Sequence, residues 1–283
     1  MRIRSLQGRR FYDRCVKSVS VLSALVAITF LAWILFVILQ RGFGAFNAAF
    51  FTELPTPPGV GGGGVANAIA GTLLMTALAT AAGVPLGAAS GIFLAEFGKG
   101  SRLAAAARFA ANVLMGTPSI IIGVFVYTIT VLRAGHFSGY AGAIALAAIM
   151  LPIVARTTED MLHLVPDTLR ESALALGAPY WKMILHVVFR AARAGLLTGV
   201  ILAVARVSGE TAPLLFTALN NPNWGSLNEP MGNLTVTIFN FAMSPYDNWQ
   251  TMAWGASLLI TAGVLLTTVT ARLLVRGQRG RAR

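Results

Sequence analysis

A single cysteine, Cys15, stands among 283 residues, so the chain can form no internal disulfide and no cysteine-ligated metal cluster. Histidine is nearly as scarce: His136, His163 and His186 fall in separate segments, at no spacing that metal ligation uses. Charged residues make up only 11% of the chain, about half the share of a soluble domain. No Gly-x-x-x-x-Gly-Lys-Ser/Thr run occurs, so the chain is not expected to bind ATP itself. The glycine-rich stretch "TPPGVGGGGVA" has neither that lysine nor a preceding strand, and reads as a flexible external connector. No serine or cysteine nucleophile has a recognisable base nearby, which leaves an enzyme with little support.

Apolar residues are abundant, at 56% with a mean hydropathy of +0.71. A bilayer core of roughly 30 Å needs about 20 apolar residues per helix. Six runs qualify, over 19–39, 67–93, 110–132, 140–156, 195–217 and 249–273. The expected fold is an all-α membrane protein of six transmembrane helices. The first run is longer than a signal-peptide core and no small-x-small cleavage site follows, so it reads as an uncleaved anchor.

The excess of basic charge would suggest nucleic acid if it lay on one soluble face. It does not. Eighteen of the 22 lysines and arginines lie before the first run, at the end of the last or after it (from Arg272 on), or in the second and fourth connections. Only Arg41 and Arg133 lie on the other side. Basic loops stay in the cytoplasm, so both termini are expected there, with the lipid bilayer and not nucleic acid as the basic residues' partner. The expected division is a basic N-terminal segment 1–18, an anchor helix 19–39, a core 67–273 and a basic tail 274–283.

The fifth run carries "ILAVARVSGETAPLLF", with Arg206 near its centre and Glu210 four residues on, which a continuous helix would place on one face. An isolated arginine at that depth costs about 2.5–3.5 kcal/mol on the gentler insertion scale. Two readings fit: a site on a water-filled path, or a buried ion pair that fixes helix register. Arg156 ends the fourth run and either faces inward or snorkels to the headgroups. Beside Arg206 it would make an anion site, since the planar guanidinium donates paired hydrogen bonds to oxyanions. Glu210 would then hold Arg206 in place, or accept a proton from hydrogen phosphate while repelling sulfate. In the second run Gly83, Pro85, Gly87 and Gly91 suit either a flexible path-lining helix or tight packing, and the spacing favours packing. "VPDTLRESALALGAPYWKM" opens a cytoplasmic helix at Pro166–Asp167 and breaks it at Gly177 and Pro179. It suits a surface gripped by a cytoplasmic partner, or an interfacial helix lying on the membrane.

That segment, within 165–190, resembles the EAA loop of ABC importer permeases: Glu171-Ser172-Ala173 stands for Glu-Ala-Ala, with Gly177 at the family's spacing. It departs downstream, where Val187-Val188-Phe189-Arg190 replaces Ile-x-Leu-Pro. "RTTEDMLHLVPDTLRESALALGAPYWKMI", "GETAPLLFTALNNPNW" and "LTVTIFNFAMSPYDNW" are similar to the PstA-type permease family of phosphate ABC transporters. The likeness runs from about residue 50 to the end. It implies a type I ABC importer permease fold with a cytoplasmic coupling helix, in the bacterial inner membrane. Implied partners are a second, PstC-like permease, a PstB-like ATPase homodimer and a periplasmic PstS-like phosphate-binding protein. No cofactor is implied in this chain, since ATP and magnesium would be bound by the ATPase. The implied pathway residues are Arg156, Arg206 and Glu210; the implied ATPase-coupling residues are Leu169, Arg170, Glu171, Ala173 and Gly177. The competing readings are a permease for sulfate, molybdate or phosphonate, and an ATP-independent secondary transporter.

Overall fold

A computed structural model describes residues 6–280; residues 1–5 and 281–283, the outer parts of the two basic terminal segments, lie outside the described residues. No strand occurs among the described residues. The chain begins with α1 (Leu6–Gly42) and, after a short turn, α2 (Ala48–Thr52). Next come α3 (Ala66–Ile92), prolonged by a π-helical turn at Phe93–Phe97, and α4 (Arg102–Gly116). α5 (Ser119–Ile129), α6 (Val131–Ala134) and α7 (Gly139–His163) follow. The cytoplasmic connection holds α8 (Asp167–Ala175) and α9 (Tyr180–Lys182), which runs through a π-helical stretch at Met183–Val188 into α10 (Phe189–Val207). α11 (Ala212–Thr217), α12 (Leu234–Ala242) and α13 (Asp247–Gly280) complete the chain.

Five helices are long and apolar enough to cross a membrane, and six spans result if the bent pair α4 and α5–α6 counts as one. That pair corrects the expectation of one straight helix over 110–132: the chain turns through 108° between Gly116 and Ser119. The cause is Pro118, which has no N–H to donate and drives Thr117 into an extended conformation (ψ 132°). Pro85 and Pro152, by contrast, lie inside α3 and α7 without ending them. Helix breaks at membrane depth are tolerated where they are buried in protein or line a cavity.

α7 is the central helix, packed against α3, α4, α5, α10 and α11. Its closest neighbour is α3, and the approach depends on a stripe of small residues at four-residue spacing. A Cβ built on Gly91 would lie 2.4 Å from the Ala155 carbonyl oxygen, and one on Gly87 would lie 2.8 Å from that of Leu151. Without a hydrophobic drive between helices in lipid, such close van der Waals approach is what holds them. The glycines of α3 are therefore packing residues. α10 antiparallels α7 in the same way, with Gly195 against Met161 and Gly199 against Thr157.

Three apolar clusters follow one another along the bundle. The central one holds Met75, Leu146, Met150 and Val207. The outer one gathers Phe50, Val65, Phe241 and Met252. The cytoplasmic one joins Ala95, Leu162, Ala173 and Met183. Large apolar side chains such as Leu73, Phe109 and Phe125 are exposed on the flanks, the surface a bilayer solvates.

The glycine-rich external stretch is not a flexible connector. Thr56 Oγ1 donates to the carbonyls of Val60 and Gly62, both at 3.0 Å, and the Gly64 N–H donates to Leu54 at 3.0 Å. Asn248 and Trp249, at the start of α13, donate to the Val60 and Thr56 carbonyls. Gly63 is needed at φ +81°, where a side chain would also strike Thr56. Trp249 stacks on Phe241, with centroids 4.5 Å apart, so it clamps this lobe to α12. The terminal boundaries also move: α1 already begins at Leu6 and α13 continues to Gly280, so basic segments prolong the spans as helix.

Candidate functional site

The fifth expected span, 195–217, is broken. α10 ends at Val207, the chain turns through Ser208–Thr211, and α11 starts at Ala212. Pro213 accounts for this, because its ring would clash with the carbonyl four residues back, at Gly209. The expectation that Arg206 and Glu210 share a helix face therefore fails: Arg206 lies in the last turn of α10 and Glu210 in the break. No ion pair or hydrogen bond joins their side chains among the described residues. Arg206 is exposed and has no acidic partner in the described chain. The Glu210 carboxylate is half-buried, and its backbone carbonyl accepts from Thr235 Oγ1 at 2.8 Å. This fastens the break to the first turn of α12.

Arg156 is differently placed. Its Nη1 donates to Glu159 Oε2 at 2.9 Å, and Nη2 lies 3.6 Å from Asp160. The other Glu159 oxygen accepts from Nε of Arg108 at 2.6 Å, while Arg108 Nη2 donates to the Leu94 carbonyl. Glu159, whose side chain is 4% exposed, thus joins two half-exposed guanidinia from α4 and α7. The structure does not bring Arg156 and Arg206 to one level. Gly199 of α10 meets Thr157 of α7, so Arg206 lies seven residues beyond that level, about 10 Å along the axis.

α8 stands at the cytoplasmic end, and each residue assigned to coupling has a distinct orientation. Leu169 and Glu171 are exposed, as are Leu174 and the tip residue Leu176, at 89%. Ala173 is buried in the cytoplasmic cluster. Gly177 ends the helix at φ +80°: its N–H bonds the Leu174 carbonyl and the Ala178 N–H bonds that of Ala173. This paired closure requires a left-handed residue, which explains the glycine at this spacing. Arg170 turns inward and donates to Glu96 at 2.9 Å. The hydrogen bond to Glu96 leads the effects that hold its guanidinium above the ordinary arginine value.

Glu96, Arg108 and Glu159 were not singled out from the sequence. Glu159 had a legible signal, since it follows Arg156 by three residues in "ARTTED". Glu96 is the sole carboxylate between Glu53 and Glu159. The pairing of Glu96 with Arg170 spans 74 positions, and that of Arg108 with Glu159 spans 51. No local pattern announces either.

A helix bundle broken at membrane depth, with a short cytoplasmic helix strapped beneath it, is the architecture of an ABC importer permease. The family model for the binding-protein-dependent transport system inner membrane component matches residues 83–280. A chain of the inward-facing MetNI methionine ABC transporter shares the fold, with a TM-score of 0.62 at 21% identity over 75% of this chain and 95% of that one. A chain of an amino acid ABC transporter matches at 0.53, with 18% identity over 77% and 92% of the two chains. The class is thus a membrane permease subunit, the inner-membrane component of a binding-protein-dependent transport system.

The phosphate transport system permease protein PstA of Yersinia pestis is 51% identical over 267 residues, covering 94% of this chain and 90% of that one. PstA of Haemophilus influenzae is 44% identical over 96% of each. PstA 1 of Mycobacterium tuberculosis is 34% identical over 94% of this chain and 89% of that one. The chain belongs to the PstA family of phosphate transport system permease proteins.

Proposed function

We propose that the chain is one of two permease subunits of an ATP-driven phosphate importer, with residues 67–273 forming its half of the pathway and both termini in the cytoplasm. The observation that carries the pathway is Arg206. It lies 13 residues, about 20 Å of helix, from the cytoplasmic Arg193 and has no counter-charge among the described residues. A cation at that depth is costly, and a passing oxyanion supplies the missing partner.

Arg156 is the second station, about 10 Å closer to the cytoplasm, with Glu159 as the counter-charge that phosphate displaces. A cavity of about 470 Å³ between the ends of α7 and α10, bordered by Arg190 and Arg193, is the exit. Glu210 confers selectivity, since hydrogen phosphate has a P–OH to donate to a carboxylate and sulfate at neutral pH has none. A PstC-like permease supplies the other half of the path and covers part of α1, which meets α13 near Gly42 but buries no residue across its most apolar stretch. A PstB-like ATPase pair grips the exposed Leu169, Glu171 and Leu176, and a PstS-like binding protein docks on the hydrogen-bonded external lobe.

Labelled phosphate uptake into proteoliposomes holding the four components tests this. Uptake is expected only with ATP on the ATPase side, undiminished by excess sulfate, and Glu210→Gln should raise sulfate competition. ATP-independent uptake would identify a secondary transporter, and equal competition by sulfate a broader oxyanion permease.

A further inference from the structure

α8 has nine residues, too few to be stable as an isolated helix, and buries only Ala173 of its own. Whatever force an ATPase applies to it must leave through its few fixed attachments. Apolar contacts at Ala173 resist separation but allow sliding, since they have no directional preference. A hydrogen-bonded ion pair fixes both distance and orientation.

One side chain makes nearly all of those directional contacts. Arg170 Nη2 donates to Glu96 Oε1 at 2.9 Å and to the Leu162 carbonyl at 2.8 Å. Nη1 donates to the Val165 carbonyl and to Asp167 Oδ1 at 3.2 Å, and Nε reaches Glu96 Oε2 at 3.4 Å. The guanidinium is 14% exposed and the Glu96 side chain 3%. Glu96 has no other cationic partner among the described residues. It sits in the π-helical turn that ends α3, and such turns often mark functional places in helices. Its backbone carbonyl accepts from the Tyr180 hydroxyl at 3.1 Å, where the chain turns up into α10. The ends of α3, α7 and α10 thus meet the coupling helix at this pair. Without Glu96 the Arg170 guanidinium would keep its bonds to the Leu162 and Val165 carbonyls at the end of α7, but no side-chain ion pair would tie α8 to the end of α3.

We infer that Glu96 is a positioning residue for coupled transport: with Arg170 it locks α8 to the cytoplasmic ends of α3 and α7, so that they move as one body. This rests on the importer reading above. Without the lock, α8 follows the ATPase while the bundle lags, and ATP is hydrolysed without phosphate movement.

The test uses the complete transporter in proteoliposomes, with ATPase rate and phosphate uptake measured on the same vesicles. Coupling between sites typically carries a factor of about 5–150. Glu96→Gln and Arg170→Lys are each expected to lower phosphate moved per ATP by roughly tenfold while ATPase activity persists. Unchanged phosphate per ATP, or a parallel fall in both rates, overturns the inference. A second measurement keeps the pair intact and covers variants that fail to assemble. In a Cys15→Ser chain, spin labels replace exposed Lys99, just beyond α3, and exposed Ser172 on α8. Their separation should stay constant between nucleotide-free and ATP-trapped states, and a change in it overturns the inference. If the wild-type transporter moves no phosphate, the importer reading fails instead, and the label separation still decides whether α3 and α8 move together.

Discussion

Arg206 and Glu159 put opposite demands on their surroundings, and the contrast separates an unpaired charge from a paired one. Glu159 is buried between two guanidinia, so Glu159→Gln leaves Arg108 and Arg156 without their shared counter-charge. A lost hydrogen bond to a charged group costs about 1.5–3 kcal/mol, and half-exposure of both arginines puts the expected loss near the lower figure. It is read as a lower melting temperature of the solubilised complex. Because the contacts are shared, Arg108→Gln combined with Glu159→Gln should cost less than the two single changes added together. Arg206 has no partner in the described chain to lose. Arg206→Ala should therefore leave the melting temperature unchanged or raise it, whereas a structural ion pair with Glu210 would make the same change destabilising. The cost of an arginine in an apolar run made Arg206 legible in the sequence. Its separation from Glu210 was not, because the helix ends at Val207 through the effect of Pro213, which lies seven positions beyond Arg206.

Among the helices, existence was legible and continuity was not. Apolar runs of about 20 residues announce spans, and α1, α3, α7, α10 and α13 lie where those runs fall. The breaks do not follow burial: exposed Pro85 and buried Pro152 are accommodated within helices, while exposed Pro118 and buried Pro213 stand beside interruptions. Sequence alone treats the four alike. Small-residue spacing did foretell the packing of α3 on α7, and it grades the outcome of substitution. Gly91→Val would drive a side chain into the Ala155 carbonyl and Thr158, and overpacking of this kind costs about 1–3 kcal/mol or more. Gly83→Ala meets chiefly the flexible Met150 side chain, with its Cβ at 3.2 Å, and should be tolerated. Thermal unfolding of the two variants should differ accordingly. On α8, Gly177→Ala places a Cβ in the left-handed region at a cost of about 1 kcal/mol. Hydrogen exchange in the last turn of α8 is then expected to quicken roughly fivefold. Equal exchange in the variant would show that the paired closure does not hold the helix.

The molecule as a whole leaves two apolar surfaces uncovered. α1 has no buried residue across its membrane-crossing window, and the exposed apolar residues of α8 lie at the cytoplasmic end. Both surfaces suit the permease and ATPase partners proposed above. Basic residues concentrated on one side are the ground in the sequence for the proposed topology, and the membrane cost of arginine is the ground for the proposed path. The strap between Glu96 and Arg170 is a tertiary pairing that sequence spacing could not announce. The most direct measurement is phosphate uptake by the reconstituted four-component transporter, with Arg206→Ala beside wild type at equal permease content and with ATPase activity read in parallel. If phosphate passes Arg206, the variant keeps its assembly and ATPase activity but loses uptake. Uptake at the wild-type rate would contradict this and remove Arg206 from the path.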